Sequence, residues 1–422
     1  MKRGFVHKGM CLLLSAILCL SGCERAGENT EGVVTIETGV SKIEQLEKQE
    51  LEAPTSKIHV MIDLNGYDVE EDKNVFFSGV KEQTNFRLVD TKSRRTVFSA
   101  EIEPEDVISY GDFTQWNTPG EYYIEIDRLG RSCNFLIEDG VKRQNLTDAI
   151  ENMTQMSVEE SAESLIDFSL SIHILLQAIK CYPDVFETDS TLISWMIKTA
   201  DNMHSMQAED GSFFSDYEAT AICAGILLMC GEEFGRYDAT LAKTFQQSAL
   251  RAKQWMDQNS GEQKETADFY YMCQYFRANP KAPIYTKQIE SYLSEHLELA
   301  HTELSAFLGA VLYISSEKNT NRNICTKVMQ SFVAKTEDIS EATGESTFFV
   351  ESVGLETIMK HVLLICFIDY ITPSREYMDI IENTMHYLTG TNMNNMNYMK
   401  ELPEWKNLWT GICIYCYSDM NA

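Results

Sequence analysis

Between Ile58 and Asp139 apolar and polar residues alternate in short bursts: "IHVMIDL", "NVFFSG", "NFRLVD", "TVFSAEI", "GEYYIEI" and "SCNFLIE". A side-chain period of two gives each burst one apolar face, and turn-forming stretches such as "NGY", "DTKS", "TPGE" and "RLGR" keep them short. The pattern predicts a small antiparallel β-sandwich over residues 57–139. Beyond Asp139 the period becomes helical. Twelve helices are predicted, at about 145–156, 158–180, 189–207, 218–233, 238–258, 264–277, 284–299, 302–316, 321–336, 354–371, 374–389 and 404–419. Small residues in "ATAICAGILL" and "AFLGAVLYI" suit closely packed helix pairs. Six hairpins, none able to bury its apolar face alone, suit an α/α toroid; an open bundle or a solenoid has the same periodicity.

The first residues follow neither period. Lys2, Arg3 and Lys8 precede an apolar run from Met10 to Leu20 that is too short to span a bilayer comfortably, as in a secretory signal. Leu20-Ser21-Gly22-Cys23 fits the bacterial lipobox at all four positions. The expectation is a signal peptide at 1–22 and a membrane-anchored lipoprotein, lipidated at Cys23 and exposed outside the cytoplasm; an ordinary cleaved signal is the alternative. Residues 23–56 are polar and acidic and read as a tether.

Composition narrows the partners. The chain carries 35 Lys and Arg against 64 Asp and Glu, a formal charge of −29. Loss of residues 1–22 would remove Lys2, Arg3 and Lys8 and no acid, making the balance more negative still. Such a field repels nucleic acid and other polyanions and leaves neutral or cationic partners. Cys223, Cys230, Cys273 and Cys366 lie in apolar helical runs, where cysteine acts as a small hydrophobe. "CIYC" (Cys413, Cys416) has the spacing of a redox or metal pair, but its flanks are apolar and no second pair or nearby histidine completes a ligand set. Core packing is expected there, with no metal and no cofactor.

Taken in order, several stretches resemble glycoside hydrolase family nine, the cellulases and related β-glucanases. "IDLNGY", then "GDF", "PGEYYIEI" and "SCNFLIE", is similar to the immunoglobulin-like N-terminal module of many of its members. "LLQAIKCYPDVF", "MHSMQAEDGSFF", "ATAICAGILLM", "DATLAKTFQQSALRAKQWM" and "YMDIIENTMHYLTGTN" resemble its helical barrel, the last of these a Tyr-Leu-Leu-Gly-x-Asn element with Gly390 and Asn392 in place. The resemblance implies a multidomain chain, an immunoglobulin-like β-sandwich followed by an all-α (α/α)6 six-hairpin barrel at 140–422. It also implies inversion at a β-glycosidic bond. One carboxylic acid protonates the leaving oxygen and a carboxylate about 6.5–9.5 Å away activates water.

The resemblance places the acid at Glu404, because "PEWKNLWT" keeps a glutamate five residues before Trp409 where the family has Asn-Glu-x-x-x-x-Trp-Asn. The alternative is a glutamate stabilised at a helix N-terminus after Pro403. The family's base lies in Asp-Ala-Gly-Asp; the matching window here is Ser157-Val158-Glu159-Glu160, which leaves Glu160 or Glu159 as the substitute. The competing reading is a capping box in which Ser157 starts a helix and Glu160 completes Ser-x-x-Glu. A second departure is the sugar-gripping loop. The family has a histidine-histidine-arginine cluster between the Gly-x-Asn element and the acid, whereas Met393 to Pro403 hold neither residue type. Trp405, Trp409 and Tyr398 are candidate sugar platforms, with Asp210 at a turn similar to one on the family's cleft side; Trp195 and Trp255 are expected in the core, and Asp210 equally suits an Asp-Gly turn closing a helix.

Three readings follow. The missing aspartates and shortened loop favour a lipoprotein that recognises a neutral β-glucan or oligosaccharide, with weak or lost hydrolysis. An active inverting endo-β-1,4-glucanase using Glu404 is the alternative, and a structural or assembly lipoprotein the third.

Overall fold

The computed structural model describes residues 58–420 apart from 103, 106–107, 127–129, 183–189, 263, 280–283, 317–319, 346–353 and 402–405. Cys23, the signal segment and the tether lie outside the described residues.

The alternating region folds as two antiparallel sheets. β1 (His59–Met61), β2 (Asn74–Ser78) and β5 (Ile108–Asp112) form the first in the order β1-β2-β5. β4 (Thr96–Ile102), β3 (Thr84–Asp90) and β6 (Gly120–Ile126) form the second, with β7 (Gly130–Arg131) and β8 (Phe135–Ile137) pairing opposite ends of β6. The period of two decides what is buried: Val75 and Phe77 of β2, Phe86 and Leu88 of β3, Ile124 and Ile126 of β6, and Phe135 and Ile137 of β8 share one core. All six predicted strand segments are present. β5 is an addition, defined by its pairing with β2, Phe76 opposite Tyr110. With Gly111 inside it and Tyr110 exposed, its alternation is too weak to stand out in sequence.

The helical region contains α1 (Val141–Thr154), α2 (Ala162–Cys181), α3 (Ser190–Ser205), α4 (Tyr217–Glu233), α5 (Ala239–Gln258), α6 (Glu265–Ala278), α7 (Thr286–Glu295), α8 (Leu304–Ile314), α9 (Arg322–Glu345), α10 (Leu355–Ile371), α11 (Arg375–Thr389), α12 (Tyr398–Glu401) and α13 (Lys406–Met420). Each predicted helix has its counterpart, and the short α12 is extra. Caps explain several boundaries. Asp216 and Asp238 accept from the backbone N–H groups of Ala219 and of Thr240 and Leu241, fixing the starts of α4 and α5. α2 starts four residues later than expected, because Ser161 is its cap. The small residues act at helix seams as expected: a Cβ on Gly225 would lie 2.8 Å from the Tyr270 ring, and one on Gly309 2.7 Å from that of Phe269.

By contacts the described residues form two compact units. One comprises 154–337; the other joins the sandwich and α1 to residues 338–420. The change at Asp139 is thus a change of secondary structure that contacts do not follow. α2 is long and apolar enough to cross a membrane, but Ser169, Ser171 and His173 are buried along it and it packs on α4, as a core helix. Trp195 and Trp255 are buried as expected, and so are Cys413 and Cys416.

Candidate functional site

Glu404 and Trp405 lie outside the described residues. The chain on either side is described. α11 ends at Gly390, whose φ of 155° and whose contacts both require glycine: a Cβ there would sit 2.5 Å from Ile62 O and 2.7 Å from Leu64 N. Leu64 N in turn donates to Thr389 O at 3.1 Å. Asn392 folds the next turn upon itself, its side-chain amide donating to Tyr387 O and Met396 O while its oxygen accepts from Met396 N. Gly390 and Asn392, the two residues that carry the resemblance in this element, are therefore structural here.

The turn is also tied to the sandwich. Asn65, between β1 and β2, donates to Asn145 of α1 at 2.8 Å and accepts from Asn397 at 2.9 Å and Lys400 at 3.0 Å. Asn397 also caps α12 by accepting from Lys400 N. The segment is an asparagine-rich turn in which the side chains of Asn392 and Asn397 hold its shape and its anchorage.

Tyr398 and Trp409 correct the expectation of open sugar platforms. Tyr398 is 1% exposed, against Tyr387 with ring centroids 6.0 Å apart, and Trp409 is 6% exposed. Apolar burial claims both rings, so neither offers an open face for a pyranose.

Glu159 and Glu160 are exposed in the segment leading to α2. The expected capping box is also corrected. Ser161, not Ser157, accepts from Ser164 N at 3.1 Å, and Ser164 Oγ accepts from Glu159 N at 2.9 Å. A Ser-x-x-Ser pair one turn further on replaces the Ser-x-x-Glu box, leaving Glu160 outside the cap. Asp210 sits in an exposed turn after α3, where one carboxylate oxygen accepts from both the backbone and the hydroxyl of Ser212; these bonds hold its pKa below the usual carboxylate range. Gln207 braces the same turn by donating to Gly211 O and to Ser248 O of α5. The turn explanation accounts for Asp210 fully. Phe214 and Ser215 beyond it both hold positive φ, and Phe214 is exposed.

The most concentrated chemistry lies among residues that the sequence did not single out. Asp63, Glu71, Lys142 and His386 are all buried, beside Glu382 of α11. His386 Nδ1 donates to Asp63 Oδ2 at 2.7 Å, and that oxygen also accepts from Thr389 Oγ1 at 2.6 Å. Lys142 of α1 pairs with Glu382 and lies 3.5 Å from Glu71. Asp68 binds the start of α1, accepting from Gly140 N and Lys142 N. Burial pushes the Glu71 carboxyl up from 4.5 to about 7, opposed by His386 and Lys142. Burial also opposes charge on Lys142 and His386, yet Glu382 and Glu71 hold the ammonium above its ordinary range, and Glu71 and Asp63 do the same for the imidazole. The cleft between these side chains has room for about one water molecule and cannot admit a sugar. The only sequence signal is acid inside an apolar stretch, "MIDLNGY". Among the described residues no group of three or more His, Cys, Asp and Glu side chains is arranged to hold a metal ion.

Residues 55–131 match the family model of the cellulase N-terminal ig-like domain. Comparison with curated proteins gives no match. Among solved structures, a metagenome-derived glycoside hydrolase family 9 endoglucanase superposes with a TM-score of 0.66 at 14% identity, over 82% of this chain and 85% of that one. A single mutant of a thermostable endoglucanase from Alicyclobacillus acidocaldarius gives 0.67 at 13% identity, over 82% and 84%. A Bacteroides ovatus GH9 protein gives 0.63 at 14%, over 80% and 85%. The chain thus carries a cellulase-type immunoglobulin-like sandwich followed by an all-α part, in the fold of the glycoside hydrolase family 9 endoglucanases.

Proposed function

We propose that the protein is an extracytoplasmic lipoprotein, held to a bacterial membrane through Cys23, that recognises a neutral β-glucan or oligosaccharide and hydrolyses it weakly or not at all. The fold supports the glucan class, since the neighbours of known activity named above are endoglucanases. The acidic balance supports a neutral rather than an anionic ligand. The observation that carries the loss of hydrolysis is the segment 157–160. It has no aspartate, and its two glutamates are solvent-exposed beside a helix cap built from other residues. A base that must hold a water against a sugar carbon needs placement within about 1 Å, and an exposed side chain with no positioning contact among the described residues does not supply it. The absence of histidine and arginine from 393–403 removes a further source of transition-state binding.

A second reading, a structural or assembly lipoprotein, is favoured by the burial of Tyr398 and Trp409 and by an asparagine turn whose side chains bond within the protein. One experiment separates the readings. The protein lacking residues 1–23, and its Glu404→Gln variant, are assayed on a panel of β-glucans and xyloglucans for released reducing ends and for retardation in glucan-containing gels. Retardation of both forms with little or no release is expected. Release abolished by Glu404→Gln would establish an active glucanase, and neither retardation nor release would leave the structural reading.

A further inference from the structure

The junction of the β1–β2 connection with α1 and α11 buries an unbalanced set of charges. The β1–β2 connection supplies Asp63, Asp68 and Glu71, α1 supplies Lys142, and α11 supplies Glu382 and His386. Asp68 is occupied by the backbone N–H groups of Gly140 and Lys142, from which it accepts at 2.7 and 2.8 Å. Among the described residues the remaining three carboxylates have one ammonium, that of Lys142, within salt-bridge distance. Protons can meet the deficit of positive charge, and the geometry offers two places for them. His386 lies between two acids, its Nδ1 bonded to Asp63 and its Nε2 3.8 Å from Glu71 Oε1. That Nε2 is buried without a hydrogen-bond partner among the described residues. A proton there would face Glu71 across the small cleft. Glu71 itself is held by one backbone N–H, from Asp68 at 2.7 Å, and by Lys142 at a looser 3.5 Å.

We propose that this cluster is a proton-operated latch, which clamps the β1–β2 connection onto α1 and α11 while His386 and Glu71 share protons, and loosens that junction as the pH rises and the protons leave.

The other groups facing the pair do not supply the missing charge. Tyr67 lies tilted beside His386 with centroids 5.0 Å apart and donates its hydroxyl hydrogen to Asn74 O, and Cys416 of α13 adds no positive charge beside Lys142. Lys73 is turned away, its ammonium enclosed by the carbonyls of Val69 at 2.7 Å and Glu71 at 2.8 Å. It braces the backbone of the loop that carries Glu71 and acts on the Glu71 carboxylate at longer range, without a salt bridge to it among the described residues. The signs agree for both groups. His386 has a raised pKa, so its stabilisation is complete below the ordinary histidine value and is lost as the pH climbs through the folded one. Glu71 keeps its proton in the fold to about 7 but would lose it near 4.5 when unfolded, so its ionisation also destabilises the fold as the pH rises across that window. Through α11 the latch sets the start of the turn at Gly390 and Asn392 that leads toward Glu404. It does not depend on which ligand, if any, the protein takes.

The test is urea unfolding of the purified full-length chain between about pH 5.5 and about pH 8.5, with hydrogen exchange read on peptides covering β1–β2 and α11. The expected result is an unfolding constant about tenfold or more larger at the alkaline end, with protection lost first at those two segments. In Glu71→Gln the rise should shrink by most of that factor, whereas Glu160→Gln, an exposed charge in the other compact unit, should leave it intact. A wild-type profile that is flat or of opposite slope overturns the proposal, as does an equal slope in Glu71→Gln. Should Glu71→Gln fail to fold, Glu382→Gln removes a charge that raises both pKa values and must shift the transition to lower pH. An unshifted transition there overturns the latch as well.

Discussion

Two buried histidines, one in each compact unit, are kept in opposite ways. His173, in the unit of residues 154–337, is fully buried and is surrounded by neutral partners and cations. Its Nδ1 lies 2.9 Å from the Tyr270 hydroxyl, which accepts from Gln274 at 3.0 Å and so has its one hydrogen to give to the imidazole. Burial, with Arg277 and Lys180 beyond, pushes the pKa of His173 down to about 3. His386, in the other unit, is buried almost as deeply, but carboxylates face it and hold its pKa up. Depth alone does not set the charge of a buried histidine. The sign of its neighbours does, and the two units use the same residue once as a neutral hydrogen-bond partner and once as a cation.

The sharpest way to break this contrast is to remove the anion. Asp63→Ala leaves His386 and Thr389 without their shared acceptor and should cost about 3–5 kcal/mol in urea unfolding, because one partner of a buried pair is left uncompensated. Next comes Gly390→Ala, which meets the Ile62 carbonyl and a backbone angle that L residues rarely adopt; a loss of about 1–3 kcal/mol is expected in the same measurement. His173→Leu tests the neutral side. It should cost about 1–3 kcal/mol by leaving the Tyr270 hydroxyl hydrogen without its acceptor. It should also change the acid limb of the stability profile. The folded pKa of His173 lies below its ordinary value of 6.5, so its contribution is complete above 6.5 and is lost as the pH falls from there toward 3. The Leu variant should lack that loss, measured as the unfolding midpoint across mildly acidic pH, while the alkaline limb is unchanged. The smallest effect concerns α2. Ser161→Ala should lower stability by about 1 kcal/mol, and Ser157→Ala should stay within about 0.5 kcal/mol of the parent.

Much of the fold is legible in the sequence because period and turn chemistry are local properties. Six strand segments and twelve helices are readable from them. What the sequence conceals depends on contacts between distant residues. β5 exists through its pairing with β2 rather than through its own alternation. Ser161 outcompetes Ser157 because the first turn of α2 places Ser164 within reach of it, a choice that two serines four residues apart do not display. Tyr398 and Trp409 look like platforms in a polar stretch and are buried once α12 and α13 are in place. The charge cluster draws on residues from 63 to 386, and no linear motif joins them. The resemblance to family nine agrees with the fold, and Gly390 and Asn392, which carry it near the C-terminal end, shape the backbone there.

Asn65 has a consequence for how this protein could change over time. Its side chain meets α1, the turn before α12 and Lys400, and the N–H of the adjacent Leu64 donates to the last carbonyl of α11. A lineage that lost the sandwich would expose four separate polar groups, on Asn145, Thr389, Asn397 and Lys400, at once, and one that lengthened the turn would have to release it from the same asparagine. The N-terminal module and the chain around residue 400 are therefore bound to be inherited together, and recombination that exchanges one should succeed only when it carries the other.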